Sequence, residues 1–209
     1  MKTGILFDLD GTLLDTLADL HDSVNHTLAH FGYPQRTLEE VRLFVGNGAR
    51  RLIDQAVPEG VDSNPAFAYF QSYYRDHCQI KTKPYDGIPE ALEQLKEKYP
   101  VAIVSNKPDG AVKVLCAQYF PGIFALGEAP DCPRKPAPDM VRKGMASIGV
   151  DTCIYVGDSD VDILTARNAG VPCLSVLWGF RKKDEMDVTD FCENPAEMAA
   201  KLEEMIHGQ

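Results

Sequence analysis

Four unbroken apolar runs constrain this chain more than any other feature. They are GILFD at 4–8, VAIVSN at 101–106, CIYVGD at 153–158 and PCLSVLW at 172–178, each bounded by polar or glycine residues. Runs without polar alternation suit strands covered on both faces, as in a parallel sheet. Helical patterns fill the intervals at 89–98, 109–119, 138–148 and 160–169, and another closes the chain at 195–206. Repeated strand–helix units predict an α/β fold with a doubly wound parallel sheet. The rhythm breaks once. Between the first run and KPYDG at 83–87 only helical patterns occur. Leu17, Leu20, Val24, Leu28 and Phe31 recur at helical spacing, TLEE at 37–40 reads as a capping box, and Asn64-Pro65 opens a further helix. The expected organisation is a core from residues 1–14 and 85–209 with an α-helical lobe inserted over 15–84.

Composition narrows the function. With 209 residues, 44% of them hydrophobic, a sizeable core is available to one domain with an insert. A net charge of −10 argues against a nucleic-acid partner, because no basic surplus exists to neutralise phosphates. No stretch approaches the ~20 apolar residues of a membrane span, and MKTGILFD is too short to serve as a signal peptide. The six cysteines are scattered without a CxxC, so they read as reduced thiols, with Cys153 and Cys173 buried. A cytoplasmic location is expected, with no membrane partner, as a monomer or homodimer.

Open α/β sheets bind ligands at the carboxyl ends of their strands. The polar residues that end the runs should therefore gather at one edge: Asp8 and Asp10, Ser105 and Asn106, and Asp158, Asp160 and Asp162, with Lys135 in the loop PRKPAPD. Carboxylates crowded into one cavity repel unless a cation joins them. Hard oxygen ligands favour Mg²⁺, which also accepts a phosphate oxygen. A calcium loop is excluded, since the positions required to be Gly and Glu hold Ile163 and Ala169, or Leu13 and Asp19. VGNGAR at 45–50 lacks the Lys-Ser/Thr of a P-loop and reads as a helix stop followed by a helix start. His21, His26 and His30 share one helix, but no acidic residue stands at the spacing a metal site needs.

DLDGTLLDT, the SN that ends a strand, RKPAPD and VGDSDVD, in that order, resemble the four motifs of the haloacid dehalogenase superfamily. The resemblance implies a Rossmann-like, HAD-like core with an α-helical cap, and VGNG in the insert is most similar to the phosphoglycolate phosphatases. It implies a Mg²⁺-dependent phosphatase acting on a small phosphorylated metabolite through an aspartyl phosphate. By position, Asp8 is the nucleophile and Asp10 the general acid and base. Asp10 is expected to hold a proton because its surroundings are crowded with carboxylates. Thr12 and Ser105 would donate to phosphoryl oxygens, and Lys135 would offset charge. The metal would lie among Asp8, the Asp10 carbonyl and Asp158, with Asp162 behind them. Asn106, the amides near Leu9 and Gly11, and Arg50 with its neighbour Arg51 are candidates for binding substrate. A sugar-phosphate mutase or a pyrophosphatase on the same core is the alternative. A phospho-accepting receiver domain is disfavoured by the tight Asp8-x-Asp10 pair and by the insert.

Overall fold

Ile5 and Phe7 join one apolar cluster and Leu6 another, and all three are fully buried. This is the outcome expected of a strand covered on both faces. The computed structural model describes residues 1–208. Its elements, in chain order, are β1 (Thr3–Phe7), β2 (Leu14–Asp15), α1 (Leu17–His30), α2 (Leu38–Phe44), α3 (Gly48–Ala56), α4 (Asn64–His77), β3 (Lys83–Pro84), α5 (Ile88–Lys98), β4 (Val101–Pro108), α6 (Asp109–Tyr119), β5 (Phe124–Glu128), α7 (Asp139–Ile148), β6 (Thr152–Gly157), α8 (Asp160–Ala169), β7 (Cys173–Val176), β8 (Asp190–Cys192) and α9 (Pro195–His207).

Six strands form one sheet in the order β5-β4-β1-β6-β7-β8, with every adjacent pair parallel. Helices α5, α6 and α9 supply Leu92, Leu95, Leu115 and Met198 to the cluster on one face. Helices α7 and α8 supply Met140, Val141 and Ala166 to the cluster on the other. The four apolar runs are β1, β4, β6 and β7. The edge strands β5 and β8 were not anticipated, nor was the antiparallel ribbon that pairs Leu14 with Pro84 and Asp15 with Lys83. All six cysteines are free thiols; Cys153 is buried as expected, whereas Cys173 is only partly so. Among the described residues no helix is long and apolar enough to cross a membrane.

The ribbon stands where the chain leaves the core after β1 and returns before α5, and α1 to α4 lie between its strands. The carboxylate of Asp19 reinforces the ribbon by accepting from the Lys81 and Thr82 amides at 2.9–3.0 Å. Thr37 caps α2 reciprocally with Glu40, the box read from TLEE. Helices α1 and α4 are joined by stacked rings. His30 lies on Tyr69, His26 on both Tyr69 and Tyr73, and His77 on Tyr73, with the closest centroids 3.8–4.0 Å apart. His26 and His30 therefore serve helix packing.

Candidate active site

Strands β1, β4 and β6 are neighbours, so their carboxyl ends deliver Asp8, Ser105 and Asp158 to a single edge of the sheet. Asp8, Asp158 and Asp162 each offer a carboxylate oxygen within 4.8 Å of the others, and all three residues are buried. Asp158 is enclosed by backbone. A Cβ on Gly11, whose φ is +80°, would lie 2.2 Å from Asp158 Oδ2, and a Cβ on Gly179 would lie 2.4 Å from the same atom. The Phe180 amide donates to this oxygen at 2.6 Å, and the Thr12 hydroxyl reaches Oδ1 at 3.4 Å.

One ammonium serves this cluster. Lys135 Nζ is 2.7 Å from Asp162 Oδ1, 2.9 Å from Asp8 Oδ1 and 2.9 Å from the Tyr155 hydroxyl. Asp162 also accepts from the Ser159 amide and hydroxyl, so its oxygens are occupied. Asp8 Oδ1 differs: Lys135 is close but out of line, and the oxygen has no hydrogen-bond donor. Burial pushes the Asp8 carboxyl up to about 7, against the pull of Lys135. Asp158 is raised well above the ordinary carboxylate range, again mainly by burial and then by Asp162 and Asp8. Three buried carboxylates facing a single ammonium leave two negative charges uncompensated. A hard divalent cation fits that donor set.

Asp10 occupies a second cluster. Its carboxylate accepts from Thr16 Oγ1 at 2.7 Å and from Lys107 Nζ at 2.9 and 3.2 Å. Lys107 Nζ also donates to the Tyr74 hydroxyl, which projects from α4. Burial alone would lower the Lys107 ammonium, but Asp10 and Tyr74 outweigh it and hold it above its usual value. The expectation that Asp10 sits among carboxylates is therefore corrected, because its near neighbours are an ammonium and a hydroxyl. Lys107 and Tyr74 were missed in the sequence. The only signal for Lys107 was its place two residues beyond Ser105 on a strand covered on both faces.

A cleft partly open to solvent joins the two clusters. Asp8, Asp10, Ser105, Asn106, Lys107 and Asp158 line it from the core side, and Leu20, Val45, Ala49, Leu52, Phe70 and Tyr74 line it from the helical side. Several expectations need correction here. Thr12 is fully buried, lies outside this lining and turns its hydroxyl to Asp158. The Gly11 amide is held by the Leu14 carbonyl; Gly11 matters through the space it leaves for Asp158. Asn106 faces the cleft, but its amide bridges the Gly46 carbonyl and the Lys135 backbone. Arg50 is turned away to Asp54, Ser63 and Asn64, where it ties α3 to the start of α4. Arg51 is exposed, as is Asp160, which stays out of the acidic cluster. Ser105 lines the cleft, and its hydroxyl oxygen accepts from the Lys107 amide.

The segment after β7 closes the cleft from the side. Arg181 lines it while donating to the carbonyls of Arg42, Leu43 and Val45 at the end of α2, and Arg42 reaches back to the Phe180 carbonyl and to Glu185.

Residues 5–176 match the model of a family described as haloacid dehalogenase-like hydrolase. A Pseudomonas aeruginosa protein named phosphoglycolate phosphatase 1 is 34% identical over 190 residues, which cover 84% of this chain and 70% of its own. An Agrobacterium fabrum phosphoglycolate phosphatase is 37% identical, with 84% and 80% covered. Among solved structures, a Lactobacillus delbrueckii subsp. bulgaricus protein aligns over 100% of both chains with a TM-score of 0.88 at 38% identity.

Proposed function

Because this chain belongs to the haloacid dehalogenase-like hydrolases, we propose that it is a Mg²⁺-dependent phosphatase that cleaves a small phosphomonoester through an aspartyl phosphate. The observation that carries this reading is the meeting of Asp8 and Asp158 within 4.8 Å, with Asp8 open to the cleft and its Oδ1 lacking a hydrogen-bond donor. Asp8 and Asp158 would hold the metal with the backbone carbonyl of Asp10, and Asp162, anchored by Lys135 and Ser159, would support them from behind. When bound, Mg²⁺ neutralises charge on the phosphoryl oxygens and keeps the Asp8 carboxylate ionised.

The chain's own residues do the rest. Asp8 attacks phosphorus, the bond to the leaving oxygen breaks, and Asp10 supplies that oxygen with a proton. Asp10 then takes a proton from the water that cleaves the acyl phosphate, which restores Asp8. Lys135 offsets the charge of Asp8, and Ser105 donates to a phosphoryl oxygen. Helices α1 to α4 act as a cap whose Leu20, Val45, Ala49, Leu52 and Phe70 exclude water from the leaving-group end of the cleft. The relatives' names support phosphoglycolate as the first substrate to try.

The test is turnover of p-nitrophenyl phosphate and of a panel of phosphorylated metabolites, with Mg²⁺ and with a chelator. Metal-dependent release of phosphate that is abolished in Asp8→Asn is expected, with small monoesters ranking first by kcat/KM. Conversion of a hexose 1-phosphate to its 6-phosphate in preference to hydrolysis would select the mutase. No turnover across the panel would overturn the reading.

A further inference from the structure

The Asp10 cluster crosses the boundary between the core and the helical segment. Thr16 precedes α1, Lys107 lies in β4 and Tyr74 comes from α4. Lys107 has one ammonium and two partners, Asp10 in the core and Tyr74 in the helical segment. Its Nζ also lies 4.7 Å from the centroid of the Tyr74 ring. The Lys107 side chain is 2% exposed, and the Tyr74 residue is equally buried. A buried ammonium stripped of one partner is costly, so neither contact is incidental. Charge stabilisation of Asp8 falls to Lys135, which among the described residues makes no hydrogen bond or ion pair to Asp10 or to the helical segment.

We infer that Lys107 and Tyr74 form a positioning relay that holds the Asp10 carboxylate in its working orientation only while α4 is seated against the core. The inference rests on the phosphatase reading for the role of Asp10. It adds two positioning residues and a reason for the reaction to await closure: until Tyr74 arrives, Lys107 is short of a partner and Asp10 is held less firmly. Seating and orientation are reciprocal, so loosening Lys107 also loosens α4.

The test separates positioning from support by varying the leaving group. Proton supply matters for an alkyl phosphate and little for p-nitrophenyl phosphate, whose leaving group needs no acid. Tyr74→Phe keeps the ring and removes the hydroxyl. It should cut kcat/KM, which reports transfer to Asp8 alone, by ~10-fold or more on an alkyl monoester and by less than about two-fold on the aryl ester, while kcat falls on both because Asp10 also serves the water step. Lys107→Met should show the same selectivity more strongly, together with faster amide hydrogen exchange across residues 64–77. An equal loss of kcat/KM on both esters would reduce the relay to structural support and overturn the inference. A rise in KM alone would make Lys107 a substrate contact and overturn it too. A wild type inert towards both esters with Mg²⁺ would instead sink the phosphatase reading and, with it, the inference.

Discussion

Asp158 has room for its carboxylate because Gly179 has no side chain. A Cβ at 179 would meet Asp158 Cβ at 2.3 Å and the Gly11 carbonyl at 2.4 Å, the one fixed to the end of β6 and the other backbone, so neither can yield without moving Asp158. Gly179→Ala should therefore displace a proposed metal ligand without touching the metal itself. The Mg²⁺ concentration for half-maximal turnover is expected to rise by ~10-fold or more, the scale on which supporting residues act. An unchanged Mg²⁺ dependence would show that Asp158 is not a ligand. The meeting of residues was legible in the sequence where a carboxylate ends an apolar run, as for Asp8 and Asp158. It was illegible where three-dimensional partners decide. Arg50 follows the GNG turn and so looks aimed at a ligand, yet Asp54 stands four residues on along the same helix and captures it. Lys107 looks like a solvated residue beside a proline until β4 buries it against Asp10.

At the scale of elements, the strands that were read are those buried on both faces, and the two edge strands were missed. β5 has an exposed Phe124 and only one buried residue, Gly127, while β8 is three residues long with Cys192 alone buried. Neither offers the continuous apolar run that marks the interior strands. The helices of the insert were legible from periodicity and caps, but what joins them was not. His26 and His30 become intelligible only when α4 places Tyr69 and Tyr73 between and beside them. His26→Ala removes two stacked contacts and a hydrogen-bonding distance of 3.0 Å to the Tyr69 hydroxyl. At about 0.5–1.5 kcal/mol for an aromatic pair, urea unfolding should show a loss of roughly 1–2 kcal/mol. A midpoint indistinguishable from wild type would mean that the stack contributes nothing to holding α1 on α4.

The molecule as a whole carries a charge of −10 and has concentrated part of it in one buried place. This sets a pH dependence that metal should reverse. The Asp8 carboxyl moves from 3.8 to about 7 on burial, so the metal-free fold keeps a proton that the unfolded chain gives up. Stability should then fall as pH rises from about 4 to about 7, because the folded state binds more protons over that window. Without metal, Tm should be lower at pH 8 than at pH 5.5, and Mg²⁺ should raise it far more at pH 8. Asp8→Asn should reduce the slope, the remainder coming from Asp158, whose carboxyl is also raised by burial. A slope unchanged by this substitution would place its origin elsewhere.

The ribbon of Leu14–Asp15 with Lys83–Pro84 makes the insert replaceable in principle, since both of its ends leave from one spot. What enters the cleft could then be altered over generations by exchanging everything between those strands, while the reacting groups stay put. Tyr74 limits that freedom. A transplanted lobe arriving without a hydroxyl at this point would bring new selectivity and a slower proton step together, which ties the evolution of preference to that of rate.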